Sequence, residues 1–382
     1  MLTLHVDDLL MAATWEEIKL LEKNMSKVFW TLTLDVKKFK HFGVDVSQKD
    51  DCSEIVASQA SCISDLKPVE IPTRCNKQDK CPPPKITEYR ALVSAIAWVG
   101  VTSPIALCMA SLLQSCLPEP TYGDIVRLND NLSKLHACYS PLIYRPIPEP
   151  HRLLNVGDSG FANSDKYSQN GFLTILCSES DSTLCGPFVL LDYKSNKSKR
   201  VATSTMHAEA LAKIAGLETA TFTQSFLLEL SRPGLSAMDL LQPELQPGLI
   251  PIISCTDCCD LHETLIAPAL SSCSNKHLSL YLSAIREFKT LGRISSFVWI
   301  DTRDMCANGL TKLGSDGTVE TAEIESILKT FSWKLQHPFR WNNTWSSDVW
   351  LCFVFLFVKH KSKGEVTNPV TEVVRALLSG PP

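Results

Sequence analysis

Three acidic residues stand where they could hold a divalent cation. Asp158 follows the apolar run 153–156, Glu209 lies early in a long alanine-containing stretch, and Asp257 follows the apolar run 250–255. Taken singly, a strand-end aspartate is often a turn residue and a helix glutamate usually faces water. Two strand-end acids and one helix acid, however, can converge on one pocket over a sheet, and such hard oxygen donors suit magnesium. A second pair, Asp7 and Asp8, interrupts the apolar run of Leu2, Leu4, Leu9 and Leu10, where two buried like charges are costly without a counter-ion. That pair is either an acidic turn at a solvent edge or a metal-holding pair of the kind a polymerase needs. The basic run Lys194, Lys197, Lys199 and Arg200 either faces phosphates or forms a solvated hairpin loop.

The elements that must position these residues follow from periodicity. Thr14 before Trp15-Glu16-Glu17 predicts an N-cap and a helix to about residue 28. Strands are expected at 30–34 and 40–46, the second with Phe42, Val44 and Val46 on one face, and a helix at 56–66. Residues 68–84 have no period and read as a linker. Helices follow at 87–101, 105–113 and 121–135, the last burying Ile125, Leu128, Leu132 and Leu135. The proline-rich stretch 141–150 predicts a domain boundary. Beyond it the expected order is strands 153–156, 171–177 and 188–193, helix 205–230, strand 250–255, helix 276–291, strand 294–300 and helix 305–310. Asp158 would end the first of these strands, and Asp304 would cap the last helix. A meander followed by alternating strands and helices predicts an α+β or α/β fold with a mixed sheet.

At 382 residues the chain has room for two or three domains. Its formal net charge of -4 lacks the excess of a free-standing nucleic-acid-binding domain, which argues against tight independent binding. Fifteen cysteines without a secretory signal point to a reducing, intracellular compartment, cytoplasmic or nuclear. Cys255 and Cys258 have CxxC spacing but no second pair to complete a zinc site. The apolar run 350–358 is well short of the roughly 20 residues of a spanning helix, so no membrane role is expected.

Several stretches resemble one family. His5-Val6-Asp7-Asp8 resembles the Y-x-D-D box of reverse transcriptases, and Lys40-His41-Phe42-Gly43-Val44-Asp45-Val46 resembles the K-Y-L-G-V-E-I that follows it in copia-type elements. Ser58-Gln59, Tyr89-Arg90-Ala91-Leu92-Val93 and Val101-Thr102-Ser103-Pro104 are similar to that family's S-Q, Y-R-S-L-V and T-R-P-D boxes, with Ser103 and Ile105 in place of the arginine and aspartate. Further on, Gly157-Asp158-Ser159-Gly160-Phe161-Ala162 is similar to S-D-A-D-W-A-G. The eighteen positions from Tyr193 to Ala210 are similar to W-S-S-K-K-Q-K-T-V-A-L-S-S-T-E-A-E-Y, and this is the most specific match. Cys255-Thr256-Asp257 resembles C-D-N. Asn275-Lys276-His277 and Ile285-Arg286-Glu287 resemble parts of K-H-I-D-I-R-Y-H-F-I-R-E, with Ser279 and Tyr281 in place of its internal aspartate and arginine. Ala307-Asn308-Gly309-Leu310-Thr311-Lys312 resembles A-D-x-L-T-K. The chain thus resembles the C-terminal part of a Ty1/copia-type retrotransposon Pol polyprotein, with matches from about residue 4 to residue 312.

The resemblance implies a truncated reverse transcriptase palm at 1–50, a helical thumb or connection region at 51–148, a ribonuclease H-like domain at 149–315 and a tail of unassigned fold at 316–382. It implies that Asp158, Glu209 and Asp257, with Asn308 as a degenerate fourth ligand, hold two Mg2+ ions, the second weakly. The partner would be an RNA–DNA hybrid, contacted by Lys194, Lys197, Lys199, Arg200, Lys276, His277 and Arg286, with upstream Pol segments as further partners. Asp7 and Asp8 would be vestigial polymerase ligands, because the third aspartate of that site is expected before residue 1. The activity implied is weakened hydrolysis of RNA in hybrids. The alternatives are a non-catalytic nucleic-acid-binding module and an inactive remnant.

Overall fold

The computed structural model describes residues 2–5, 8–28, 33–164, 167–179, 184–232, 234–269, 275–314, 317–341 and 344–345. Asp7, most of the expected strand 30–34 and the apolar run 350–358 lie outside them.

β1 (Leu2–His5) and β2 (Asp8–Met11) pair as an antiparallel hairpin, followed by α1 (Trp15–Met25). Thr14 caps α1 as expected: Glu17 N donates to its hydroxyl, and the Glu17 carboxylate accepts the Thr14 N–H at 2.8 Å. No side chain of α1 is buried.

β3 (Lys38–His41), β4 (Val44–Gln48), β5 (Ile55–Ser58) and β6 (Leu142–Tyr144) form an antiparallel sheet in that order. The expected single strand over 40–46 is instead two strands and a tight turn. Phe42 and Gly43 both have positive φ, 55° and 72°, as a two-residue hairpin turn requires, so Phe42 is exposed rather than on a buried face. The expected helix at 56–66 is also corrected: its first residues pair in β5, and only α2 (Ala60–Asp65) is helical. β6 lies between Pro141 and Pro146, at the sheet edge where proline is tolerated.

α3 (Pro83–Val99), α4 (Pro104–Gln114) and α5 (Tyr122–Cys138) pack together, and the predicted stripe of α5 is buried. Ser103 caps α4, accepting the Ala106 N–H at 3.2 Å.

The larger sheet is mixed. β7 (His151–Ser164), β8 (Tyr167–Ser178) and β9 (Phe188–Lys197) form an antiparallel meander, and α6 (Thr205–Ser231) and the short α7 (Ala237–Leu241) follow. Then come β10 (Ile252–Thr256), α8 (Cys259–Ile266), α9 (Lys276–Thr290), β11 (Ser296–Trp299), α10 (Ala322–Thr330), β12 (Arg340–Trp341) and β13 (Thr344–Trp345). The spatial order is β13-β12-β11-β10-β7-β8-β9, with β10 parallel to both β7 and β11.

Side-chain alternation gives this sheet two buried faces. Leu153 and Ile252 point to α6, α8 and α9, where they meet Leu217, Leu261 and Leu282. Leu154, Val156 and Ile253 point the other way, into a core shared with α3, α4, α5 and α10. Polar contacts cross the same seam: Tyr193 Oη donates to the Gly100 carbonyl at 2.9 Å, and Lys134 Nζ to the Val319 carbonyl at 2.6 Å.

Three further expectations are corrected. Asp158 lies within β7 and does not end it, because β7 and β8 stay paired from His151↔Ser178 through Asp158↔Gly171 to Gly160↔Gln169. Cys306–Leu310 forms a 3-10 helix rather than an α-helix, pressed so closely on α10 that a Cβ at Gly309 would collide with Ile324 Cγ2. Asp304 caps nothing after it. Its carboxylate accepts the backbone N–H groups of Gln336 and His337, the latter at 2.9 Å, and contacts the His337 ring. Residues 317–341, which showed no sequence period past 330, thereby join the core through Ile324, Leu328, Trp333 and Phe339.

Candidate metal centre

The register of the parallel pair places the first two acids. β7 and β10 pair through Val156↔Cys255, and Asp158 and Asp257 each lie two residues further on, where β10 stops and β7 continues. α6 crosses this opening with Glu209 in its first turns, just after the Ser204 cap that accepts the His207 N–H. Asp158, Glu209 and Asp257 consequently offer carboxylate oxygens all within 4.8 Å of one another. They line one open cleft together with Thr205, Lys312 and Glu320.

Polar contacts fix two of the three. Glu209 Oε1 accepts the Ser159 N–H at 3.2 Å, while its Oε2 is buried with no hydrogen-bonding partner. Thr311 donates its hydroxyl to Asp158 Oδ2, and Lys312 Nζ lies 3.8 Å from Asp158 Oδ1. Burial drives the Glu209 carboxyl well above its ordinary range, and the charges of Asp158 and then Asp257 add to the effect. Burial also raises Asp158, against the opposing pull of Lys312. Below the cluster lies Lys213, one helical turn beyond Glu209 and 1% exposed, donating to the Cys255 carbonyl. Desolvation lowers its pKa while the three acids favour its charged form.

The donor set fits a divalent cation on the structure's own terms. It is all oxygen, it is crowded with like charge, and it contains an orphaned buried oxygen that a cation would satisfy. Asn308 does not join it. Its Nδ2 donates to the Thr302 carbonyl at 3.1 Å, and its Oδ1 accepts from Lys312. Asp8 lies in β2, away from this cluster in sequence, and Asp7 is outside the described residues.

The basic residues divide. Lys194, Lys197, Lys199 and Arg200 are all exposed at the end of β9 and in the loop beyond it. Lys197 sits 3.9 Å over the Tyr167 ring, and the Arg200 guanidinium lies 5.2 Å from the centre of Tyr281. Asn275 donates to the Thr203 hydroxyl at 2.8 Å, tying the Arg200 loop to the start of α9, where Lys276 and His277 are exposed. Arg286, further along α9, donates instead to the Pro268 carbonyl at 3.2 Å. It is engaged in holding a loop.

Lys213, Thr311, Lys312 and Glu320 had no role in the sequence reading. Lys312 and Thr311 do stand in a matched box, but nothing in the sequence shows that this segment folds back over Asp158. Glu320 falls in a stretch without a match.

No protein-family model matches the chain, and no curated protein matches it. Among solved structures it is similar to LC11-RNase H1, isolated from compost by a metagenomic approach, at 15% identity and a TM-score of 0.28, over 44% of this chain and 95% of that one. A similarity at that level carries no functional information. Among the described residues no helix is long and apolar enough to cross a membrane.

Proposed function

We propose that the chain is a ribonuclease H-type nuclease of retroelement origin, acting with Mg2+ on the RNA strand of RNA–DNA hybrids. The observation that carries this reading is the convergence of Asp158, Glu209 and Asp257 on one cleft, with Glu209 Oε2 left for a cation. These three residues would hold the ion. Bound there, Mg2+ supplies Lewis-acid stabilisation of negative charge on the scissile phosphate. The Ser159 N–H holds Glu209 in orientation, and Thr311 does the same for Asp158. Lys194, Lys197, Lys199, Arg200 and Lys276 provide exposed positive charge for backbone phosphates, and His277 stands exposed beside Lys276.

On the sequence resemblance alone, we read residues 1–50 as part of a reverse transcriptase palm and 51–148 as a thumb or connection region. Asp7 and Asp8 then belong to a vestigial polymerase site.

A second reading, a hybrid-binding module without catalysis, is favoured by one observation: Lys312 already neutralises part of the Asp158 charge. The test separates the two. Cleavage of a labelled RNA–DNA hybrid should require Mg2+ and fall by roughly a hundredfold in Glu209→Gln, through loss of a ligand carboxylate. Hybrid binding without cleavage in the parent chain would establish the second reading.

A further inference from the structure

We propose that Lys312 is a built-in cation that limits this centre to a single divalent ion. The inference rests on reading the three acids as a metal centre. A second ion sharing Asp158 would have to compete with Lys312, which lines the same cleft and stands beside Asp158 together with Asn308. The ammonium lies 3.8 Å from Asp158 Oδ1 and donates to Asn308 Oδ1.

Hydrogen bonds hold the two residues side by side. Lys312 N donates to the Asn308 carbonyl at 3.0 Å, and the Lys312 carbonyl accepts the Glu320 N–H at 3.0 Å, so its backbone is held from both sides. The Asn308 amide is fixed by its donation to the Thr302 carbonyl at 3.1 Å, which turns its oxygen toward the lysine. The oxygen that would coordinate an ion is therefore already accepting from a cation. Asp158 Oδ2 is engaged by the Thr311 hydroxyl. Beside Asp158 an incoming dication would meet the Lys312 ammonium and an amide oxygen already accepting from it, with Glu320 the further carboxylate of the cleft, whereas Mg2+ sites are built on carboxylates free to coordinate. The first ion would be held by Glu209 and Asp257 as well as Asp158, and their three carboxylates outweigh the single charge of the lysine.

The arrangement also gives Lys312 a defined task. Its side chain is 33% exposed, so the ammonium reaches the cleft as well as Asp158. It supplies fixed positive charge beside the phosphate where a second ion would otherwise have to be recruited.

The experiment is a titration of the full chain with Mn2+, followed by electron spin resonance and calorimetry, which requires no turnover. The parent should bind one ion per chain, and Lys312→Arg should also bind one. Lys312→Met should bind the first ion about tenfold more tightly, because a nearby like charge has been removed. Lys312→Met combined with Asn308→Asp should bind two ions that show mutual magnetic coupling. Two ions of comparable affinity in the parent, or one ion in the folded double variant, would overturn the proposal. No ion in either the parent or the double variant would overturn the metal-centre reading itself. Circular dichroism of each variant establishes that it is folded.

Discussion

Lys213 lies one helical turn after Glu209, and its buried ammonium donates to the Cys255 carbonyl, two residues before Asp257. One lysine thus touches the strand that carries one acid and sits on the helix that carries another. It balances part of the like charge gathered above it, because Glu209, Asp257 and Asp158 all favour its protonated form. Lys213→Met should destabilise the metal-free chain by about 3–5 kcal/mol, the usual cost of removing one partner from buried charges. Saturating Mg2+ should recover more stability in the variant than in the parent. Urea midpoints with and without chelator measure both effects. Equal midpoints for parent and variant would mean that Lys213 is not the counter-ion.

Glu209 itself has a sign that can be checked. Its carboxyl is raised well above the ordinary value, chiefly by burial. For such a group the folded chain holds a proton that the unfolded chain has lost, so stability is greatest below the unfolded pKa and falls as pH rises through the folded one. Without metal, the contribution of this group should therefore be lost from about pH 4.5 upward. Glu209→Gln should flatten that slope, and Mg2+ should reverse it by taking the ionised form. Melting temperatures in chelator that ran parallel in the parent and Glu209→Gln across the pH series would contradict this.

His262 predicts the opposite limb. It is fully buried on α8, and burial, helped by Arg340 and only partly opposed by the Phe297 backbone, lowers its pKa to about 4. The folded chain then binds fewer protons than the unfolded chain between the lowered value and the ordinary one of about 6.5. Stability present above that range should be lost as pH falls toward 4, by about 1–3 kcal/mol. His262→Leu should remove this loss while leaving the behaviour above pH 7 unchanged. Denaturant midpoints at pH 7.5 and 5 for both chains decide the matter.

These groups show what the sequence made legible and what it did not. The meander, α6, β10 and the α5 stripe were readable because each is a local period of 2 or 3.6 with a cap or turn beside it. Glu209 and Asp257 were readable as chemistry because they sit next to such elements. Asp158 reads as a strand end because the apolar run stops at Val156, but pairing across to Gly171 and Asn170 keeps the strand going. Phe42 looked like a strand residue because apolar alternation does not reveal a positive φ. Lys213, Lys312 and Asp304 owe their surroundings to contacts across 42, 154 and 33 positions, with Cys255, Asp158 and His337 respectively. No local pattern encodes such contacts.

Asp304 supports a stability prediction on grounds other than helix capping. It accepts the N–H groups of Gln336 and His337 and binds the His337 ring, so one carboxylate pins the segment leading to β12. Asp304→Ala leaves those donors unpaired and should cost about 2–4 kcal/mol, since several hydrogen bonds to a charged group are lost together. Amide exchange at Gln336 and His337 should accelerate before that of β10. Unchanged exchange at both would rule out the anchoring role.

The last prediction concerns Gly171, which faces Asp158 across the β7–β8 pair. A Cβ there would stand 2.6 Å from both Leu310 Cβ and Thr311 Cγ2, so the absence of a side chain lets the Cys306–Leu310 turn lie directly on the sheet. That close approach delivers the Thr311 hydroxyl to Asp158 Oδ2 and the next residue, Lys312, to its other oxygen. Gly171→Ala should push this segment outward at a cost of about 1–3 kcal/mol, the usual penalty for overpacking. Both contacts to Asp158 should loosen together. Thr311→Val removes the hydroxyl while keeping the shape, so it should leave Lys312 in place and cost only about 1–2 kcal/mol. The two variants should therefore differ in metal binding. If Lys312 excludes a second ion, Gly171→Ala should admit additional Mn2+ at high concentration, whereas Thr311→Val should remain at one ion per chain. Urea midpoints and Mn2+ stoichiometry, measured on the same samples, read both arms. A Gly171→Ala chain as stable as the parent would show that the segment does not depend on this contact for its position.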